Sequence, residues 1–463
     1  MNDYSQYSSP FSWRYASAEM RAIWSETRKR QLWRQIWVAL AETQAEFGLV
    51  SPEQAADLRA HAGEINLPRA LEIEAEIHHD VMAEILTFAE QSPLGGGIIH
   101  LGMTSMDVVD NADALRVQQS LRLLLPKLGV LLRHFADKIE TWADTPVMAF
   151  THLQPAEPTT LGYRLAFYAQ DLLADWGNLT RLTAGLRAKG FTGAVGSAAS
   201  YAELLGAAAL PDFQASLSRR LGLRFFPVTT QVYPRKQDYE IISALAGLGA
   251  SLYKFAFDLR LLQSPPIGEW SEPFGARQVG SSAMPFKRNP INAEKIDSLA
   301  RQLAQLPRLA WDNAAHSLLE RTLDDSANRR SSLPEAFLIA DELLRAATRI
   351  CEGLRVDEDA LARNLARYGP FAATERVLMS LARAGADRQK MHAQIRKLAM
   401  QAWESVRRGE ENPLPELIAS EPAFLAYLPA ADLRAGMDAS GYLGDAPRRA
   451  RLVAARIRAE TEK

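Results

Sequence analysis

Leu161-Gly-Tyr-Arg-Leu-Ala-Phe-Tyr-Ala-Gln-Asp-Leu-Leu-Ala-Asp-Trp-Gly-Asn-Leu-Thr-Arg-Leu-Thr-Ala-Gly-Leu186 places a large apolar residue at 161, 165, 168, 172, 176, 179, 182 and 186. Steps of three and four put all of them on one face of an α-helix. The stripe outlasts the mean globular helix and predicts a long bundle helix. Similar patterns run over about 112–143, 239–262 and 292–321. A shorter stripe joins Trp33, Ile36, Trp37, Leu40 and Phe47. Pro126 and Pro307 fall inside two of the long patterns and should kink or break them. Strand-like alternation is scarce and no internal repeat is visible. The pattern predicts an all-α protein built on a central bundle of very long helices.

The 463 residues are 47% hydrophobic, enough for a large core and two to four domains by length. A net charge of −2 gives no pull toward nucleic acid or an anionic membrane. The single cysteine, Cys351, forms no internal disulfide and suits the cytoplasm. No CxxC pair or HExxH helix suggests a metal site. The first residues lack the apolar segment of a secretory signal, and no apolar run is expected to reach the ~20 residues that span a bilayer.

Chemistry gathers in the polar stretches between helices. Gly280-Ser-Ser-Ala-Met-Pro-Phe-Lys-Arg-Asn-Pro290 combines hydroxyls, a cation and an amide with one glycine and two prolines. It is a poor helix and a poor strand, and reads as a shaped loop. Four other clusters stand out: 78–80 (His-His-Asp), 100–107, 151–155 (Thr-His-Leu-Gln-Pro) and 320–330. Each has a plain structural reading. A histidine at a helix end can be a cap. Thr104-Ser105 before Asp107 can cap a helix. The run from Asp324 to Arg330 can be a solvated helix face. Their conjunction on one helical scaffold suggests a single composite site.

The serine loop resembles the mobile loop of the fumarase/aspartase superfamily, Gly-Ser-Ser-x-Met-Pro-x-Lys-x-Asn-Pro, at every fixed position. The resemblance narrows to the adenylosuccinate lyase family. Phe11-Ser-Trp-Arg-Tyr15 looks like that family's opening. His79-Asp-Val-Met-Ala83, Ile99-His-Leu-Gly-Met-Thr-Ser105 and Thr151-His-Leu-Gln-Pro-Ala156 are similar to its conserved blocks. Gln231-Val-Tyr-Pro-Arg-Lys236 and Glu320–Arg330 match two more, and the tail from Gly369 fits its C-terminal helical domain. Val232 stands where the family has threonine and Lys295 where related sequences have arginine. The two cations differ at a bidentate site.

The resemblance implies three helical domains, at 1–105, 106–357 and 358–463, with the catalytic loop over 278–291. It implies a homotetramer whose long helices form a shared core and whose sites draw loops from three subunits. The reaction would be β-elimination of fumarate from adenylosuccinate, giving AMP, and from its ribotide analogue SAICAR, giving AICAR. Ser281 would be the base, activated by Lys287, the N–H groups of the glycine turn and exclusion of water. His152 would protonate the leaving nitrogen, with its tautomer fixed by Glu294. Lys287 and Asn289 would also donate to the succinyl carboxylate as its charge grows. Arg14, Tyr15, Arg321, Ser326 and Arg330 would cage the phosphate. His79, Asp80, His100, Thr104, Ser105, Thr151, Gln231, Ser282 and Met284 would complete the substrate contacts. No metal or organic cofactor is expected, because the substrate supplies its own activating carboxylates. Two alternatives stand beside this reading. One is a superfamily lyase acting on argininosuccinate or a carboxymuconate. The other is a silent relative of the lens-crystallin kind.

Overall fold

A computed structural model describes residues 5–461. Helix dominates, and the longest helices are Ser105–Thr141, Leu161–Gly185, Lys236–Leu262, Asp324–Glu352 and Glu358–Arg383. The stripe that opens at Leu161 is buried at every position except Trp176, which is half-buried.

The two prolines behave differently. Ser105–Thr141 continues through Pro126 without a break. An interior proline costs ~3 kcal/mol. Leu121, Leu124, Leu128, Leu131, Leu132 and Phe135 along the same helix are fully buried, at about 1.5–3 kcal/mol each, and outweigh it. Pro307 does break its pattern. The stripe expected over 292–321 becomes Ile291–Leu303 and Leu306–Ala315, with Pro307 in the first turn of the second helix, where its missing N–H costs nothing.

Two further expectations need correction. The fold is not purely helical: Pro146–Thr151 pairs antiparallel with Gln154–Thr160, and Trp270–Ser271 pairs with Arg355–Val356. Secondly, Lys236–Leu262 is long and apolar enough to cross a membrane by length and composition. Half of its most apolar window is buried inside the fold, as in the core helix of a bundle. Its C-terminal half also carries polar contacts: Asp258 accepts from the Tyr168 hydroxyl at 2.8 Å, and Arg260 forms an ion pair with Asp297 at 2.7 Å.

The chain divides into two compact units. The first comprises Met1–Leu128, Asp175–Ala250 and Ser298–Arg345. Its core packs Trp33, Ile36, Trp37 and Leu40 with Phe88, Leu115, Phe213 and Leu217, and Phe47 lies against it half-buried. The second comprises Gly129–Ala174, Ser251–Asp297 and Ala346–Lys463. Here Val377, Leu381, Leu398, Phe424 and Leu433 form a core of their own among the C-terminal helices.

Candidate active site

The serine loop is neither helix nor strand, as its prolines and glycine require. A Cβ on Gly280 would fall 1.9 Å from the Lys287 carbonyl oxygen, so only glycine lets the two limbs approach. The Asn289 amide closes the same neck by donating to the Gly280 carbonyl at 2.9 Å. Above the neck, the Ser281 Oγ accepts from the backbone N–H of Met284 at 3.1 Å and of Ala283 at 3.3 Å. The donors aimed at this hydroxyl therefore follow it in the chain, rather than belonging to the glycine turn. Two N–H dipoles converging on one oxygen favour its anionic form. Ser282, Met284 and Lys287 are exposed on the same flap.

Thr151 and His152 sit at the tip of the Pro146–Thr160 hairpin. Thr151 pairs with Gln154, so the turn consists of His152 and Leu153 alone. Both have left-handed backbones, with φ of 53° and 59°. A two-residue turn of this hand normally takes Asn-Gly, because side chains strain at positive φ. Histidine and leucine here store strain at a solvent-facing tip, a signature of functional positions. The hairpin walls a cleft of about 1500 Å³ together with Arg164, Tyr168, Lys254, Tyr368 and Trp403. Glu294 lies in the first turn of Ile291–Leu303, with Arg260 3.9 Å from its carboxylate. The expected Glu294–His152 hydrogen bond is not made in this structure.

In the first unit, His79 caps the helix Asp80–Gln91: its Nδ1 accepts from the Met82 N–H at 3.2 Å. The structural reading of a helix-end histidine therefore holds here. The ring keeps its other nitrogen free to meet a ligand. His100 is different. It has φ of 68°, and its Nδ1 accepts from Trp37 Nε1–H at 3.1 Å. That bond fixes the neutral ring as the Nε2–H tautomer. Burial pushes its pKa down to about 4, against a smaller opposing pull from Asp107. His100 is thus a neutral hydrogen-bond donor at physiological pH and a poor acid. Thr104 and Ser105 begin the helix Ser105–Thr141, where Asp107 accepts from the Thr104 N–H at 2.9 Å. Asp107 is fully buried, pairs with Lys189 and accepts the N–H groups of Thr192 and Gly193 at 3.2 Å. It nails the Thr104-Ser105 turn to the 189–193 segment.

Arg321, Ser326 and Arg330 straddle the start of the helix Asp324–Glu352, the positive end of its dipole. Ser326 and Arg330 share a face at i,i+4. Arg321 donates to Asp325 at 2.8 Å, and the exposed Arg330 to Asp80 at 3.1 Å. Gln231 joins this group through its N–H, which donates to the Glu320 carbonyl at 3.1 Å. Arg14 and Tyr15 lie on a segment held by buried carboxylates: Asp341 accepts the Ser17 N–H at 2.6 Å and Glu342 the Ala16 N–H at 3.0 Å. Val232, which stands where the family has threonine, is buried, at 4% exposed.

A buried network beside the 320–330 segment escapes sequence reading. Arg235 forks onto Asp110 at 3.0 and 3.1 Å and reaches Asp325 at 2.7 Å. Arg329 bonds Asp238 at 2.9 Å, Asp113 at 3.2 Å and the Tyr233 hydroxyl at 2.9 Å. Arg329 and Arg330 are neighbours in sequence, but one is core and the other surface. Only the i,i+4 step from Ser326 could have separated them.

Arg14, Tyr15, His79, Asp80, His100, Thr104, Ser105, Gln231, Arg321, Ser326 and Arg330 thus belong to the first unit. Thr151, His152, Ser281, Ser282, Met284, Lys287, Asn289 and Glu294 belong to the second.

Residues 13–304 match the family model described as Lyase, and residues 370–452 match that for the adenylosuccinate lyase C-terminus. The adenylosuccinate lyase of Schizosaccharomyces pombe is 38% identical over 456 residues, 96% of this chain and 94% of the relative. That of Schistosoma mansoni is 40% identical over 431 residues, 92% and 89% of the two chains. Among solved structures, the 3-carboxy-cis,cis-muconate lactonizing enzyme of Pseudomonas putida superposes with a TM-score of 0.86 at 27% identity, covering 98% of each chain. The fold is thus shared with a carboxymuconate enzyme, while the higher sequence identities fall on adenylosuccinate lyases. By sequence over nearly its whole length, the chain belongs to the adenylosuccinate lyase family of the fumarase/aspartase superfamily.

Proposed function

We propose that this lyase releases fumarate from adenylosuccinate, leaving AMP, and from SAICAR, leaving AICAR. The observation that carries the mechanism is the Ser281 hydroxyl, which takes two backbone N–H bonds. As an alkoxide it removes the proton from the succinyl carbon beside a carboxylate. The electron pair moves into that carboxylate, giving a dianionic enolate held by Lys287 and Asn289. Collapse of the enolate breaks the C–N bond, and protonated His152 delivers a proton to the departing nitrogen. Arg14, Tyr15, Arg321, Ser326 and Arg330 hold the phosphate. No step calls for a metal or organic cofactor.

The working form is a cytoplasmic homotetramer, with each site drawn from several copies and with the domains divided at 105 and 357. Two features support this reading. Glu294 and His152 need one another and do not meet within one copy. Large apolar side chains also stand exposed beside the candidate groups: Leu153 at 71%, Phe286 at 82% and Leu319 at 89%. Neighbouring copies would cover such surface.

Purified protein should consume adenylosuccinate and release fumarate one for one. A protein that leaves both substrates intact would fail this proposal. Sedimentation at working concentration should give four times the chain mass.

A further inference from the structure

The serine loop is tied at its root by a carboxylate that no catalytic role uses. Glu272 ends the segment before the loop, and its side chain is 2% exposed. It accepts from the Asn292 N–H at 3.1 and 3.2 Å, the Ala293 N–H at 3.0 Å and the Asn292 side-chain amide at 3.0 Å. Those donors open the helix Ile291–Leu303, on the far side of the loop. Gln263 repeats the tie. Its Oε1 accepts the Glu272 N–H at 3.1 Å, while its Nε2 donates to the Arg288 carbonyl at 3.0 Å. One level up, Phe274 lies 3.2 Å from where a Gly280 Cβ would be, and the Arg288 guanidinium sits 5.5 Å above its ring. With the Asn289–Gly280 bond, these contacts hold the two limbs of the loop together below 281–287.

We infer that Glu272 is a positioning residue of the lyase reaction. It locks both roots of the loop together, so that Ser281 meets the succinyl carbon at a fixed height. This rests on the reading of Ser281 as the base. The physical case is a contrast. An isolated carboxylate buried to this depth would be costly, and burial does push the Glu272 pKa up, against the backbone N–H groups that hold the charge. Its ionised form is satisfied only while 272 and 292–293 stay in register. Any slip of one root against the other orphans a buried charge, so the root is stiff. A base that must approach carbon gains from that stiffness, because misplacement by about 1 Å can cost ~10²-fold in rate.

The test uses Glu272→Gln in the full chain. The amide keeps one acceptor and turns an NH₂ toward donors. We expect kcat to fall at least about tenfold, with KM for adenylosuccinate changed less than about threefold. The deuterium isotope effect from the labelled succinyl methylene should rise, since proton removal becomes slower, and the oligomer mass should not change. A merely structural defect would lower the folded fraction without moving the isotope effect. Gln263→Glu keeps the acceptor for Glu272 but loses the Arg288 link. It should show the same isotope signature at smaller cost, and covers the case in which the first variant does not fold. Ser281→Ala is run beside them. Wild-type kcat and isotope effect in both root variants, with Ser281→Ala inactive, would sink the positioning role alone. A fully active Ser281→Ala would remove the base and this role together.

Discussion

Arg330 reaches across 250 positions of sequence to place its Nη2 3.1 Å from the Asp80 carboxylate. Its side chain is 65% exposed. An ion pair so open to solvent stabilises the fold by at most about 1 kcal/mol. The pair is better understood as a cation parked on a weak partner. It joins two groups singled out separately in the sequence, one at the head of Asp80–Gln91 and one on Asp324–Glu352. A phosphate dianion, with more charge and more acceptor oxygens, would displace the carboxylate and take the arginine fork.

Arg330→Ala should therefore raise KM about tenfold or more and leave kcat within about threefold, because a phosphate held by Arg330 would be bound alike in ground and transition states. Arg330→Lys should recover part of the loss, since a point charge replaces a fork. Initial rates over a range of adenylosuccinate concentrations decide the matter. A fall in kcat at constant KM would take Arg330 out of the phosphate cage.

Ser281→Ala and His152→Ala should each lower kcat by at least ~10²-fold, with the oligomer intact. Neither side chain supports the core. Ser281 bonds only to its own turn, and His152 stands at a hairpin tip. Melting temperatures should match the parent protein. A variant that turned over normally would lose its assigned role.

The long helices were legible because their burial is periodic, and each stripe marks a core face. Their ends and breaks were less so. Pro126 and Pro307 look alike in sequence, and only the burial around Pro126 shows why the helix survives it. The hairpin bearing Thr151 and His152 was hidden for a physical reason. Its strands carry Pro146, Pro155 and Pro158, and its turn is His-Leu where the conformation favours Asn-Gly. The pairing of Thr151 with Gln154 leaves just these two residues to close the hairpin, and local preference alone could not reveal that. The serine loop was legible as a loop from glycine and proline alone, and its candidate roles came from resemblance. Arg235 and Arg329 were hidden because a buried arginine is recognised only by the aspartates that surround it.

Gly280→Ala tests the neck of the loop. The added Cβ would lie 1.9 Å from a backbone oxygen, which cannot swing away as a side-chain tip can. The limbs must separate, breaking the Asn289–Gly280 bond and shifting Ser281. Turnover should fall about 10²-fold or more while thermal stability changes little, because the loop is exposed and outside the cores. Wild-type turnover would show that the limbs part without consequence.

His100 gives a prediction in pH. Its folded pKa, about 4, lies below the ordinary 6.5 because the ring is buried against Trp37. Between these values the unfolded chain binds a proton that the folded chain refuses. Stability from the neutral ring is thus complete above pH 6.5, declines as pH falls and is gone near pH 4. The shift corresponds to on the order of 3 kcal/mol. Acidic groups also titrate at the lower end of this window, so the measurement is a difference. Urea midpoints of the parent and of His100→Gln, whose side-chain oxygen can still accept from Trp37, should converge as pH drops from 6.5 to 4. Curves that stay parallel across that range would mean that the ring titrates as it does in water, and that the Trp37 bond does not hold it neutral.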